Sequence, residues 1–274
     1  MIFDSHAHYD DRAFDEDREE ILSSLGKDGV GTVVNVGSGL PGTKRTVGLT
    51  RRYSFIYGAA GVHPDEVGEL NEETFAWLRE QCLQEKIVAV GETGLDYYWN
   101  RENHEVQKKW FIRQIALAKE LSLPVIVHSR EAATDTMEIL KQEYSPHIPV
   151  VIHCYSYSPE MAREYVKMGY YLGVGGVVTF KNAKKLKETV QETPLERLLL
   201  ETDCPYLAPE PFRGKRNDSR NLIYTAKAVA ELKGVTPEAV IEITEKNARC
   251  FYRLDRRRQN DRTDTNAGES PEYY

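Results

Sequence analysis

Eight short apolar runs recur along the chain, and their spacing limits the possible folds more than any other feature. They are IFDSHAH from residue 2, GTVVNVGS from 31, IYGAAGVHP from 56, IVAVGETGLD from 87, PVIVHSRE from 124, PVVIHCYS from 149, YYLGVGG from 170 and LLLETDCPY from 198. Successive runs start 21 to 37 residues apart, which leaves room each time for one helix and two loops, the length of a βαβ unit. The intervening segments carry helical signals. NEETFAWLREQCLQE (71–85) opens on Asn71 as an N-cap and puts Phe75, Leu78 and Cys82 on one face. HEVQKKWFIRQIALAKELS (104–122) sets Trp110, Ile115, Leu117 and Leu121 among charges. SPEMAREYVKMG (158–169) starts at Ser158 with Pro159 in the first helical position and stops at Gly169. Two further helical patterns, SRNLIYTAKAVAELKG and TPEAVIEITEKNARCFYRL, follow the eighth run. This alternation predicts a (β/α)8 barrel of the TIM type, an α/β fold with its active site at the C-terminal rim of the strands. A doubly wound open sheet is the alternative.

The 274 residues suffice for one such barrel, expected over 1–252, followed by a polar tail at 253–274. From Asp255 onward the tail has no large aliphatic residue, so it is expected to be flexible. No run of 18 apolar residues occurs, which argues against a membrane-spanning helix. MIFDSHAHYDD is too acidic for a signal peptide, and a cytoplasmic address is the expectation. Cys82, Cys154, Cys204 and Cys250 form no CxxC pair and read as reduced, mostly buried thiols. A net charge of −7 is unfavourable for gripping a polyanion, so a nucleic-acid substrate would need local positive charge, which bound metal ions could supply.

The histidines and carboxylates fall in a pattern. His6 and His8 end the first run, His63 the third, Glu92 the fourth, His128 the fifth, His153 the sixth and Asp203 the eighth. His104 and His147 lie in helix or loop and are expected at the surface. Taken singly, a histidine at a strand end is more often a hydrogen-bonded core residue than a ligand. Seven such groups on one rim are not. Glu92 and Asp203 follow apolar strands, and a half-buried carboxylate without a partner costs several kcal/mol unless it meets a cation. Four histidines and two carboxylates exceed the needs of one tetrahedral zinc, and two ions sharing a carboxylate would use them all. Nitrogen and oxygen donors without thiolate suit Zn²⁺, Mn²⁺ or Mg²⁺. Two such ions suit hydrolysis.

FDSHAHYD, GVHP, VGETGLDYY, PVIVHSRE, VIHCYS and LLLETDCPYLAP, followed by PFRGKRN, together resemble the TatD family of metal-dependent deoxyribonucleases, over about residues 1–252 and in the family's order. The resemblance implies that His6, His8 and Asp203 hold one ion, that Glu92 bridges, and that His128 and His153 hold the second. It also implies that His63 and Arg213, with Lys215 beside it, contact substrate phosphate. After RGKRN the chain continues with Asp218 and Ser219, where many members carry a glutamate and a proline.

The expected activity is phosphodiester hydrolysis, exonucleolytic on DNA, single-stranded or at 3′ ends. A two-metal-activated hydroxide would attack phosphorus, Asp203 would accept its proton, and His63, Arg213 and Lys215 would stabilise the growing charge. No obligate protein partner is expected. An amidohydrolase or lactonase of the same fold is the alternative, and RGKR at 213–216 is what separates the two, since a neutral substrate has little use for clustered cations. A binding protein with structural metals is a third reading. Glu201 shares Asp203's face as either a partner of the site or an ion-paired structural residue. Tyr97, Tyr98 and Trp99 either stack on a nucleobase or pack beneath their loop.

Overall fold

The computed structural model describes residues 1–99 and 102–255. Its strands are β1 (Ile2–Ala7), β2 (Val30–Val36), β3 (Ile56–Ala60), β4 (Ile87–Asp96), β5 (Val125–Arg130), β6 (Val150–Ile152), β7 (Tyr171–Val174) and β8 (Leu198–Leu200). They pair in parallel in chain order, β1 through β8. The helices between them are α1 (Arg18–Ser24), α2 (Leu40–Arg52), α3 (Glu72–Cys82), α4 (His104–Leu121), α5 (Ala133–Gln142), α6 (Pro159–Lys167) and α7 (Lys184–Glu192); α8 (Leu222–Lys233) and α9 (Pro237–Phe251) follow β8. Sequential order excludes the doubly wound sheet, whose strand order reverses. The fold is a nearly closed (β/α)8 barrel, and all eight apolar runs are its strands. No helix among the described residues is long and apolar enough to cross a membrane.

Local chemistry explains where the helices start. Asn71 Oδ1 accepts the N–H groups of Glu73 and Thr74, and Thr74 Oγ1 accepts the Asn71 N–H, a reciprocal capping box. Ser158 and Thr236 cap α6 and α9, each ahead of a proline.

The seam between β8 and β1 is closed beside the site. Ser5 Oγ donates to Leu200 O at 2.8 Å, Asp203 N to His6 O at 2.9 Å, and His8 N to Cys204 O at 2.8 Å. Two apolar cores flank the strands. One lies between the strands and the surrounding helices. The other fills the barrel itself with Phe3, Val34, Ala59, Ala89, Ile126, Val151 and Leu199, and the end of α9 closes it below with Phe251, Tyr252 and Leu254. Leu254 is buried, so the packed body runs two residues past the expected boundary at 252. Leu254 is the last large aliphatic side chain of the sequence, and it finds a hydrophobic surface to cover. The rest of the expected tail, 256–274, lies outside the described residues.

Strict strand alternation does not hold near the site. Phe3 and His6 both face the barrel interior although three residues apart, and so do Ala89 and Glu92. The β1–β2 register shifts between Asp4 and Ala7, and the β4–β5 register between Val90 and Thr93. An extra residue at each point turns the chain by one position, as bulges beside functional sites do.

Candidate metal centre

Six side chains that the sequence distributes over five strands meet at the C-terminal mouth around one carboxylate, Glu92. Its Oε2 faces His6 Nε2 at 3.5 Å and His8 Nε2 at 3.7 Å. Asp203 Oδ1 lies 3.6 Å from His6 Nε2 and 3.2 Å from His8 Nε2, and the two histidine nitrogens are 3.1 Å apart. On the other side, Glu92 Oε1 is 2.7 Å from His153 Nε2 and 2.9 Å from His128 Nδ1. The His6 and His153 rings stack with centroids 4.1 Å apart, which joins the two groups.

Bringing these donors together without a cation is costly, and the protonation balance records it. Burial alone would raise the Glu92 carboxyl, yet the charge of His153 and hydrogen bonds from His128, His153 and His6 hold it well below the usual carboxylate range. Burial would lower His8, but Asp203 and Glu92 push it up to about 9. His153 and His128 rise in the same way against burial, through Glu92 with Glu201 and Asp96 respectively. The acids of the cage thus favour positive charge on His8, His128 and His153. A divalent ion would provide that charge in place of protons. The donor spacing fits too: N and O ligands at about 2.0–2.1 Å from a tetrahedral ion stand about 3.3–3.4 Å apart, and the His6–His8–Glu92–Asp203 contacts span 3.1 to 3.7 Å.

Surrounding groups orient the imidazoles. His8 Nδ1 donates to Val36 O at 2.8 Å, so in the neutral ring the lone pair is on Nε2, the atom that faces the cage. His63 is oriented the opposite way. It caps the 3-10 turn Pro64–Glu69, where its Nδ1 accepts the Asp65 N–H at 3.2 Å. In the neutral ring the proton is then on Nε2, 3.8 Å from Glu92 Oε1. Burial, and then the charge of His128, lower His63 to about 3, so the ring is neutral at ordinary pH. Asp203 sits just past β8 with φ +55°, a left-handed backbone that a non-glycine residue rarely adopts and that active sites often contain.

Glu201 backs the cage rather than entering it. Its Oε1 accepts the Cys154 N–H and stands 3.6 Å from His153 Nδ1. Asp4, fully buried under β8, accepts hydrogen bonds from Thr202 Oγ1 and Ser219 Oγ at 2.6 Å each.

Asp96 also belongs to the site, although it is not among the residues expected there. Its Oδ2 lies 3.0 Å from His128 Nε2 while its Oδ1 accepts the N–H groups of Tyr98 and Trp99. The available signal was its place four residues after Glu92 in the same strand, on the same face. Arg213 and Lys215 are exposed; Arg213 lies over the Phe180 ring at 4.3 Å and Lys215 near Phe212 at 5.9 Å. Among the described residues neither is hydrogen-bonded to the cage. His147 is exposed as expected, but His104 is half-buried and stacks on Tyr97 at 3.6 Å.

Comparison with known proteins agrees with this geometry. A family model described as TatD related DNase matches residues 3–253. The uncharacterized metal-dependent hydrolase YabD of Bacillus subtilis is 46% identical over 255 residues, covering 93% of this chain and 100% of its own. The 3′-5′ ssDNA/RNA exonuclease TatD of Cronobacter sakazakii is 33% identical over 256 residues, 92% of this chain and 97% of its own. Among solved structures, the TatD homologue YjjV of Escherichia coli superposes with a TM-score of 0.86 at 30% identity, covering 91% of this chain and 97% of that one.

Proposed function

This chain belongs to the TatD-related DNase family and is a metal-dependent hydrolase, and on that premise we propose that it cleaves phosphodiester bonds of single-stranded nucleic acid from an end. The observation that carries the reading is the division of Glu92: one oxygen toward His6 and His8, the other toward His128 and His153. In this reading His6, His8, Asp203 and Glu92 hold one divalent ion, while Glu92, His128 and His153 hold a second. Such ions supply a hydroxide nucleophile at neutral pH and charge stabilisation at the phosphoryl group. The chain's own residues do the rest. Asp203, partly exposed at the mouth, accepts the proton released as water attacks. His63 presents an N–H rather than a lone pair to the space beside Glu92, which suits hydrogen bonding to a nonbridging phosphate oxygen. Arg213 and Lys215 are reserved for the more distant phosphates of the strand, consistent with their exposure.

The name of the Cronobacter relative supports a nucleic-acid substrate and a 3′ end. The test is metal-depleted protein restored with Zn²⁺, Mg²⁺ or Mn²⁺ singly and assayed on end-labelled single-stranded DNA and RNA beside a lactone and a dipeptide. Stepwise release of mononucleotides that depends on added ion is the expected result. Intact oligonucleotide with rapid lactone turnover would instead assign the cage to carbonyl chemistry.

A further inference from the structure

The loop after β4 exposes two aromatic rings beside the cage, and the proposed reaction does not use them. Tyr97 is occupied: it stacks on His104, and its hydroxyl donates to Asp135 at 2.6 Å. Among the described residues, Tyr98 and Trp99 make no side-chain hydrogen bond. They stand nearly perpendicular with centroids 4.6 Å apart, and they are 38% and 66% exposed. Arg130, two residues beyond His128 at the end of β5, lies 4.1 Å from the Tyr98 ring and 5.4 Å from the Trp99 ring. Among the described residues its guanidinium forms no ion pair.

Position ties this group to the cage. One carboxylate serves both: Asp96 Oδ1 accepts the N–H groups of Tyr98 at 2.9 Å and Trp99 at 3.0 Å, and Oδ2 meets His128 Nε2 at 3.0 Å. The aromatic pair is thereby set at a defined place relative to His128 instead of hanging from a free loop. A ring face beside an unpaired guanidinium matches the two parts of a nucleotide, a π-faced base and an anionic phosphate. A neutral lactone has no anionic group for the guanidinium.

We propose that Tyr98 and Trp99, backed by Arg130, form a stacking shelf for the base next to the scissile phosphate. The inference rests on the nucleic-acid reading above and specifies how that substrate is held. Stacking tolerates any base, so the shelf would give position along the strand without sequence preference.

The experiment uses the metal-loaded full-length protein and one end-labelled single-stranded DNA sequence in which each position in turn is made abasic. With the wild-type protein, kcat/KM should fall about 5- to 150-fold when one particular position near the cleaved bond loses its base, the range for a base–aromatic stack. Trp99→Ala should lose a similar factor on intact DNA and become indifferent to the abasic site at that position, while Trp99→Phe should keep most of the sensitivity. Equal activity of Trp99→Ala and wild type on intact DNA would overturn the shelf. So would an equal loss by Trp99→Ala on intact and abasic strands, which marks a structural role. If the wild type cleaves DNA but no abasic position matters, the shelf alone fails. If it cleaves no oligonucleotide, the nucleic-acid reading fails and the shelf with it.

Discussion

Glu92 is the residue on which the candidate centre depends, because each of its oxygens meets a different pair of imidazoles. Glu92→Ala leaves both groups without their shared anion. It should lower bound metal, read by elemental analysis after gel filtration, and cut turnover by more than about 100-fold, the loss that even outlying partners of a metal can cause. Normal metal content with normal turnover would remove Glu92 from the site. Asp4 is a different kind of buried acid. Burial outweighs its four hydrogen bonds and raises its carboxyl to about 7. The folded protein therefore binds a proton there that the unfolded chain releases near pH 3.8. Asp4's favourable contribution is complete below that pH and is lost as pH rises through about 7. In metal-free protein, Asp4→Asn should flatten the fall in denaturation free energy between pH 4 and 7. An unchanged slope would assign it to other groups. At this scale the cage residues were legible, because histidine and carboxylate at the end of an apolar strand are conspicuous. Asp96 was not, since its meaning lies in contacts with His128 and with the Tyr98–Trp99 loop that no local pattern encodes.

Among the elements, β4 and β5 approach most closely where the centre needs them. Gly94 has φ +147°, and a Cβ there would stand 1.9 Å from the carbonyl oxygen of His128. Backbone cannot retreat as a flexible side chain would. Gly94→Ala should cost about 1–3 kcal/mol from the dihedral alone, with the clash added, and should displace His128. Denaturant midpoint and metal stoichiometry should fall together; a midpoint within error of wild type would refute the close approach. The strands and the helix starts at Asn71 and Ser158 could be read from the sequence because apolar runs and capping residues act locally. The register shifts in β1 and β4 could not be, because a bulge is defined only against the neighbouring strand.

For the whole molecule, the barrel has two ends with different duties. The C-terminal mouth carries the charged cage, and the end of α9 seals the other opening with Phe251, Tyr252 and Leu254. Tyr252 also donates to Ser5 O at 2.6 Å and stacks on Phe3, both in the strand that leads to His6. Phe251→Ala should cost about 3–5 kcal/mol as a cavity in a buried aromatic site, seen as a lower thermal midpoint. The folded variant should keep its metal content, since Phe251 packs with Tyr171, Tyr252 and the apolar barrel core; metal lost at temperatures where the fold persists would show that the two ends are coupled.

The sequence by itself determined the number of strands, several helix starts and which side chains stand at strand ends, because periodicity, capping and polarity are properties of a short stretch of chain; the order of the strands in the sheet was decided by their pairing. Only the tertiary structure decided that Phe3 and His6 share the barrel interior, that His63 turns an N–H toward Glu92, that Asp96 joins the cage to an aromatic loop, and that Arg213 and Lys215 stay outside it. These depend on distances between residues far apart in the chain, and those distances are set by closure of the barrel, where each strand takes its register from its neighbours.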